Sequence, residues 1–168
     1  MIIPDPILVA ISPNLGHLPW YKQLWFLLNA PRYRLAEDYV VVLDDGVRIV
    51  VLKGFELDLA SIPRIFWWIP GFSPVGPLKC GAVFHDFGYQ YGYLSALLPD
   101  GTMDEVCVGY PRDFFDRLLR DITIEKTGIT FVANTAYKAL RRYGSIAWKK
   151  YRKHGSKIYK GMHPVGAR

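Results

Sequence analysis

Five polar residues stand where packing alone gives them little to do. His85 and Asp86 are adjacent in an otherwise apolar run, Tyr89 follows four residues after the histidine, and Arg112 and Asp116 lie four apart further on. Buried polar groups need partners. On a helix His85 and Tyr89 share a face, whereas Asp86 is rotated from His85 by about 100°. His85 is therefore expected to face a neighbouring helix. There Asp116 can orient the imidazole and fix its tautomer, with Tyr89 adding a hydrogen bond to the same carboxylate. Asp86 is expected to point elsewhere, for example toward the Gly/Pro loop from Gly71 to Pro77, whose carbonyls can complete an oxygen cage for a hard cation. A histidine backed by an aspartate is a general-base arrangement that can activate water for ester hydrolysis. The same residues, with Arg112 pairing along its helix to Asp116, equally make a satisfied network that fixes one core and catalyses nothing.

Upstream lies a second polar segment, Gly54-Phe55-Glu56-Leu57-Asp58-Leu59-Ala60-Ser61-Ile62-Pro63-Arg64. Asp58 is placed to cap a turn holding Ser61 and Pro63, since proline suits a first helical turn. A Ser61, His85, Asp116 triad is conceivable, but Ser61 lacks the Gly-x-Ser-x-Gly elbow and reads better as a helix-start residue. His17, His154 and His163 show no i, i+4 spacing of a zinc helix. They read as single surface histidines.

These residues must be positioned by one domain. The chain has 168 residues, 51% of them hydrophobic and 15% aromatic, which suits a well-packed globule rather than a disordered chain. The fold class expected is α+β: a mainly helical single domain with an N-terminal β-hairpin and an extended arm. The hairpin is predicted from two β-branched runs, Tyr39 to Leu43 and Val47 to Leu52, around Asp44-Asp45-Gly46. Helices are predicted from Lys79 to about Tyr93, from Pro111 with apolar Phe115, Leu118, Leu119 and Ile122 on one side, and from Ile129 to Arg142, with Gly144 as the C-terminal cap. The stretch from Ser95 to Gly109, carrying Pro99 and Asp100-Gly101, reads as a surface excursion. The domain boundaries are 1–32 for the arm with its short apolar helix, 33–144 for the globular body and 145–168 for a basic tail.

Composition limits what the chain does. Cys80 and Cys107 are too few for a disulfide framework and fit no zinc spacing, so reduced thiols are expected. The longest apolar window, Trp20 to Leu28, is interrupted by Lys22 and Gln23, so no membrane span is expected. No signal-peptide pattern opens the chain, and secretion by that route is not expected. From Lys126 to Arg168 there are eleven Lys or Arg and no Asp or Glu, against a net charge near −5 before it. Such a one-signed third is either a solvated face or seeks an acidic partner: nucleic acid, an anionic membrane or an acidic protein surface, met through Lys149, Lys150, Arg152 and Lys153. The aromatic arm, with Trp20, Trp25 and Phe26, either packs on its own domain or lies across a neighbouring subunit or partner protein, its aromatic content favouring the second.

The His-Asp-x-x-Tyr spacing resembles the active helix of secreted and viral phospholipases A2. That resemblance implies a base at His85, calcium at Asp86 and a supporting Asp116. The loop Gly71 to Gly76 lacks the tighter glycine pattern of those enzymes, and their disulfides are missing. Across Tyr33 to Gly144 the chain also looks like a family of small uncharacterised proteins of tailed bacteriophages and prophages. The shared signature is Gly-Phe-x-x-Asp-x-Ala-Ser-Ile-Pro-Arg, then His-Asp-x-x-Tyr, Arg-x-x-x-Asp and a terminal Arg-Tyr/Phe-Gly. Here these stand at Gly54 to Arg64, His85 to Tyr89, Arg112 to Asp116, and Arg142-Tyr143-Gly144, with Leu59 where glycine is usual and a long insertion between the second and third. The resemblance implies a phage product, made in the host cytoplasm, but no established activity; the aromatic arm, compact body and basic tail suit a subunit built into the virion. A tail or baseplate component contacting other virion proteins is the leading expectation. A particle-delivered hydrolase acting on lipid or cell wall is the alternative.

Overall fold

A computed structural model describes residues 1–11, 15–22, 32–58 and 76–153. Its strands are β1 (Leu8–Ile11), β2 (Arg32–Leu35), β3 (Tyr39–Val42), β4 (Arg48–Val51), β5 (Glu56–Leu57), β6 (Leu94–Leu97) and β7 (Met103–Val106). Its helices, numbered here along the chain, are α1 (Lys79–Tyr91), α2 (Arg112–Thr127), α3 (Thr130–Tyr143) and α4 (Ser145–Lys153). A 3-10 turn spans Leu15–His17, and Trp20 to Lys22 are helical. Helices and antiparallel sheets together make an α+β fold.

The expected hairpin forms as β3 and β4, with Val40 opposite Val50 and Gly46 in the left-handed region at the turn (φ 83°). It is not a free-standing unit. β4 pairs on its other edge with β6, and β6 with β7, giving a four-stranded sheet in the order β3-β4-β6-β7. The stretch from Ser95 to Gly109 is thus corrected from a surface excursion to a second hairpin, turned at Asp100-Gly101, whose inner strand buries Leu94, Ser95 and Ala96. A central strand such as β4 is covered on both faces, which is why Ile49, Val50 and Val51 are all buried.

The second sheet, β1-β2-β5, is made partly by the arm. β1 pairs with β2 in antiparallel register, Val9 opposite Arg34, and Ile2 bridges to Val42. The Tyr39 hydroxyl donates to the Pro4 carbonyl (3.1 Å) and the Lys126 ammonium to that of Ile3 (2.8 Å). Residues 1–11 therefore lie on their own body rather than across a neighbour. Trp20 and Tyr21 are exposed, at 74% and 56%. Trp25 and Phe26 fall outside the described residues.

Helix α1 runs through the middle, and every residue from Cys80 to Tyr89 is buried. A helix apolar on all sides is one enclosed on all sides, and α1 packs against α2, α4, β4, β5 and β6. Its approach to α2 depends on two glycines one face apart. A Cβ on Gly81 would lie 2.5 Å from the Leu119 carbonyl oxygen, and one on Gly88 would overlap the Phe115 ring. The close approach carries His85, four residues after Gly81, directly onto α2. The first nine residues of the basic tail are also structured: α4 lays Ala147, Trp148 and Tyr151 on the core. Cys80 and Cys107 are free thiols.

Candidate functional site

Asp116 is the hub of the polar cluster. It sits on the inner face of α2 at 0% exposure, with His85 at 2% and Asp86 at 5%. The spacing argument for His85 and Tyr89 holds: His85 Nε2 lies 3.2 Å from Asp116 Oδ1, and the Tyr89 hydroxyl donates to the same oxygen at 2.6 Å. The His85 and Tyr89 rings stack with centroids 4.0 Å apart. On the other oxygen, Oδ2, Asp116 meets Arg112 Nε at 3.8 Å and Arg141 Nη1 at 3.4 Å. Arg112 has a second task. It donates to the carbonyls of Leu140 (3.1 Å) and Arg141 (2.9 Å), placing its cation at the negative end of α3.

Asp86 does not turn away as its helical angle predicts. Its Oδ1 folds back to 3.1 Å from His85 Nδ1, so carboxylates flank the ring at both nitrogens. The reason is reach: a carboxylate one position on can bend along the helix surface to an imidazole that a wheel diagram places out of line. If both nitrogens donate, the ring carries both protons. Burial works against that charge, yet the hydrogen bonds and charges of Asp116 and Asp86 outweigh it and raise the His85 pKa above its ordinary value. Burial also pushes Asp116 upward. The hydrogen bonds from His85 and Tyr89, with the positive charges of His85 and Arg112, win and hold it below the usual carboxylate range.

Around this core the segments named in the sequence come together. A Cβ on Gly144 would lie 2.6 Å from the Tyr89 hydroxyl oxygen and 3.0 Å from Arg112 Nη1, so glycine here serves close approach. Its backbone is right-handed (φ −64°, ψ −14°), and the chain bends into α4 rather than stopping in a left-handed cap. Asp58, half-buried after β5, and Asp86 both lie near enough to Tyr151 that their charges, after burial itself, raise its pKa. Ser61 and residues 71–75 of the loop expected to face Asp86 lie outside the described residues. Among the described residues, no group of three or more His, Cys, Asp or Glu side chains is arranged to hold a metal ion.

The basic residues divide. Lys149 and Lys150 are exposed on α4, and the side chain of Lys153 lies outside the description. Arg152 is half-buried. It donates to the Tyr89 carbonyl (2.6 Å), stacks on Trp148 (4.6 Å to the ring centroid), leaves its Nε buried without a hydrogen-bond partner, and has its pKa lowered by burial. A charge run hides this, because a long stem buries as readily as it exposes. Sequence reasoning also missed Arg141, one residue before the Arg142 of the motif, and Trp148, whose ring closes over Tyr89 (5.3 Å) and Phe115 (5.8 Å). The aromatic inside an otherwise basic segment was the available signal for Trp148.

No helix among the described residues is long and apolar enough to cross a membrane. Residues 33–140 match the family described as "Protein of unknown function (DUF1353)". The match covers more than half of the chain, which therefore belongs to that family. No curated protein and no solved structure matches it.

Proposed function

We propose that this DUF1353 protein is a binding subunit of a larger particle, a tail or baseplate component of a tailed phage, and that its buried His85 cluster is a clamp. One observation carries the clamp half of this reading: both His85 nitrogens are held by carboxylates, at 3.1 and 3.2 Å, on a ring only 2% exposed. A general base needs a free lone pair within reach of its substrate, and this ring offers neither. Such a network instead pins α1, α2 and α3 in one arrangement. The exposed Trp20 and Tyr21 supply aromatic surface of the kind that interfaces use. Mass spectrometry of purified particles of the encoding phage tests the assembly role. The chain should be present in fixed proportion to other virion proteins, and Trp20→Ala with Tyr21→Ala should remove it. Its absence from particles would sink the reading.

One observation favours the hydrolase alternative. The chain His85 Nε2, Asp116, Tyr89 has the order and contacts of a supported base. For that chemistry Nδ1 must leave Asp86 and meet water. Phospholipid and cell-wall hydrolysis assays on the wild type and His85→Asn separate the readings. Turnover lost in a folded His85→Asn protein would establish the enzyme, and no turnover in either would remove it.

A further inference from the structure

Helices α3 and α4 keep one face for the core and, among the described residues, leave the other exposed. Val132, Ala133, Ala136 and Leu140 of α3, and Ala147, Trp148 and Tyr151 of α4, are spent on packing. Outward, Lys138 and Arg142 stand one turn apart on α3, and Ile146 and Lys149 nearly one turn apart on α4, all exposed. Ile146 is 76% exposed and Tyr143 59%. Arg141 spends its charge on Asp113 and Asp116. Lys138, Arg142 and Lys149 make no ion pair among the described residues, and no Asp or Glu follows Lys126 to neutralise them.

We propose that this face docks on the surface of an anionic phospholipid bilayer. Lys138, Arg142 and Lys149 meet lipid phosphates, while Ile146 and Tyr143 enter the headgroup boundary. Two features select a bilayer among polyanions. A nucleic-acid backbone offers nothing to an aliphatic side chain set among the cations, whereas the lipid interface rewards charge and apolar area together. Two of the three cations are lysines, point charges without the fork geometry that reads fixed carboxylates on a protein. The surface stands on α3 and α4 alone, whatever Trp20 and Tyr21 bind.

Flotation of the full chain with phosphatidylglycerol/phosphatidylcholine vesicles, and with phosphatidylcholine alone, tests it. Binding is expected only with the anionic lipid. Each of Lys138→Gln, Arg142→Gln and Lys149→Gln should lower partitioning about five-fold, and the triple variant about a hundred-fold. Ile146→Ser should lower it at unchanged charge. All four positions are exposed, and circular dichroism checks the fold of each variant. Failure of the folded wild type to bind anionic vesicles overturns the proposal. So does a response to the charges but not to Ile146, or tighter binding to duplex DNA or to an acidic protein that ignores Ile146→Ser.

Discussion

Asp86 folds back onto the residue that precedes it, its carboxylate 3.1 Å from Nδ1 of His85, while Asp116 takes the opposite nitrogen. The three groups together carry one net negative charge when the ring is protonated, and Arg112 and Arg141 approach Asp116 from the far side to balance it. The site is thus a small ionic lattice closed inside an aromatic shell.

Removing one member should strand the others. Asp116→Ala leaves the buried His85 with Asp86 alone and removes the buried carboxylate that Arg112 and Arg141 share, and a loss of about 3–5 kcal/mol is expected, the range for breaking a buried ion pair. Urea unfolding measures it. A loss within the ordinary surface range of about 0.5 kcal/mol would mean that the cluster holds nothing together.

The cluster should also print its charge on the pH dependence of stability. His85 is raised above 6.5 in the fold, so its contribution is full below that value and lost as pH rises through the folded pKa. Asp116 is lowered below 3.8, so its contribution is present above that value and lost as pH falls through the folded pKa. Stability should therefore be greatest between those ordinary values and decline on the alkaline side of 6.5. Unfolding curves across pH test this, and the alkaline decline should vanish in a folded His85→Asn protein.

Helix α1 should tolerate no side chain at Gly81. The Leu119 carbonyl that a Cβ would strike is backbone and cannot rotate aside, so the helices must part. Gly81→Ala is expected to cost at least about 1–3 kcal/mol, as overpacking does, despite alanine's better helix propensity. A thermal melt at or above wild type would contradict the contact.

Arg152 and Lys149, neighbours in the same basic run, should behave oppositely. Arg152→Ala loses a carbonyl bond and a stacked ring and should destabilise by about 1–3 kcal/mol. Lys149→Ala, exposed, should stay within about 0.5 kcal/mol. Equal effects would mean that the contacts of Arg152 to Tyr89 and Trp148 stabilise nothing.

Calcium gives a further discriminating measurement. With Asp86 committed to His85, millimolar calcium should leave the melting temperature unchanged. A saturable upward shift, the signature of a ligand binding only the folded chain, would instead support the hydrolase reading.

Much of this was written in the spacing of the chain. The four-residue intervals from His85 to Tyr89 and from Arg112 to Asp116 state which side chains share a face, and the resulting contacts are the ones found. The hairpin from Tyr39 to Val51 declares itself through β-branched runs around Asp-Gly. The hidden parts depended on reach and context. Leu94-Ser-Ala-Leu and Met103-Asp-Glu-Val lack β-branched alternation, so β6 and β7 exist because β4 offers an open edge. Leu8 to Ile11 was masked by the prolines around it. Asp86 escaped because a helical angle locates a Cα, not the end of a bent side chain.

Helix α4, which lays Trp148 and Arg152 over Tyr89, leaves the ribosome well after α1. Arg152 meets Tyr89 across 63 residues of chain, an interval of about 3–13 s at ordinary rates of synthesis. During that time α1 can form while Trp148 and Arg152 do not yet exist to cover Tyr89. A chain halted before Ser145 would lack both side chains and leave that side of Tyr89 uncovered.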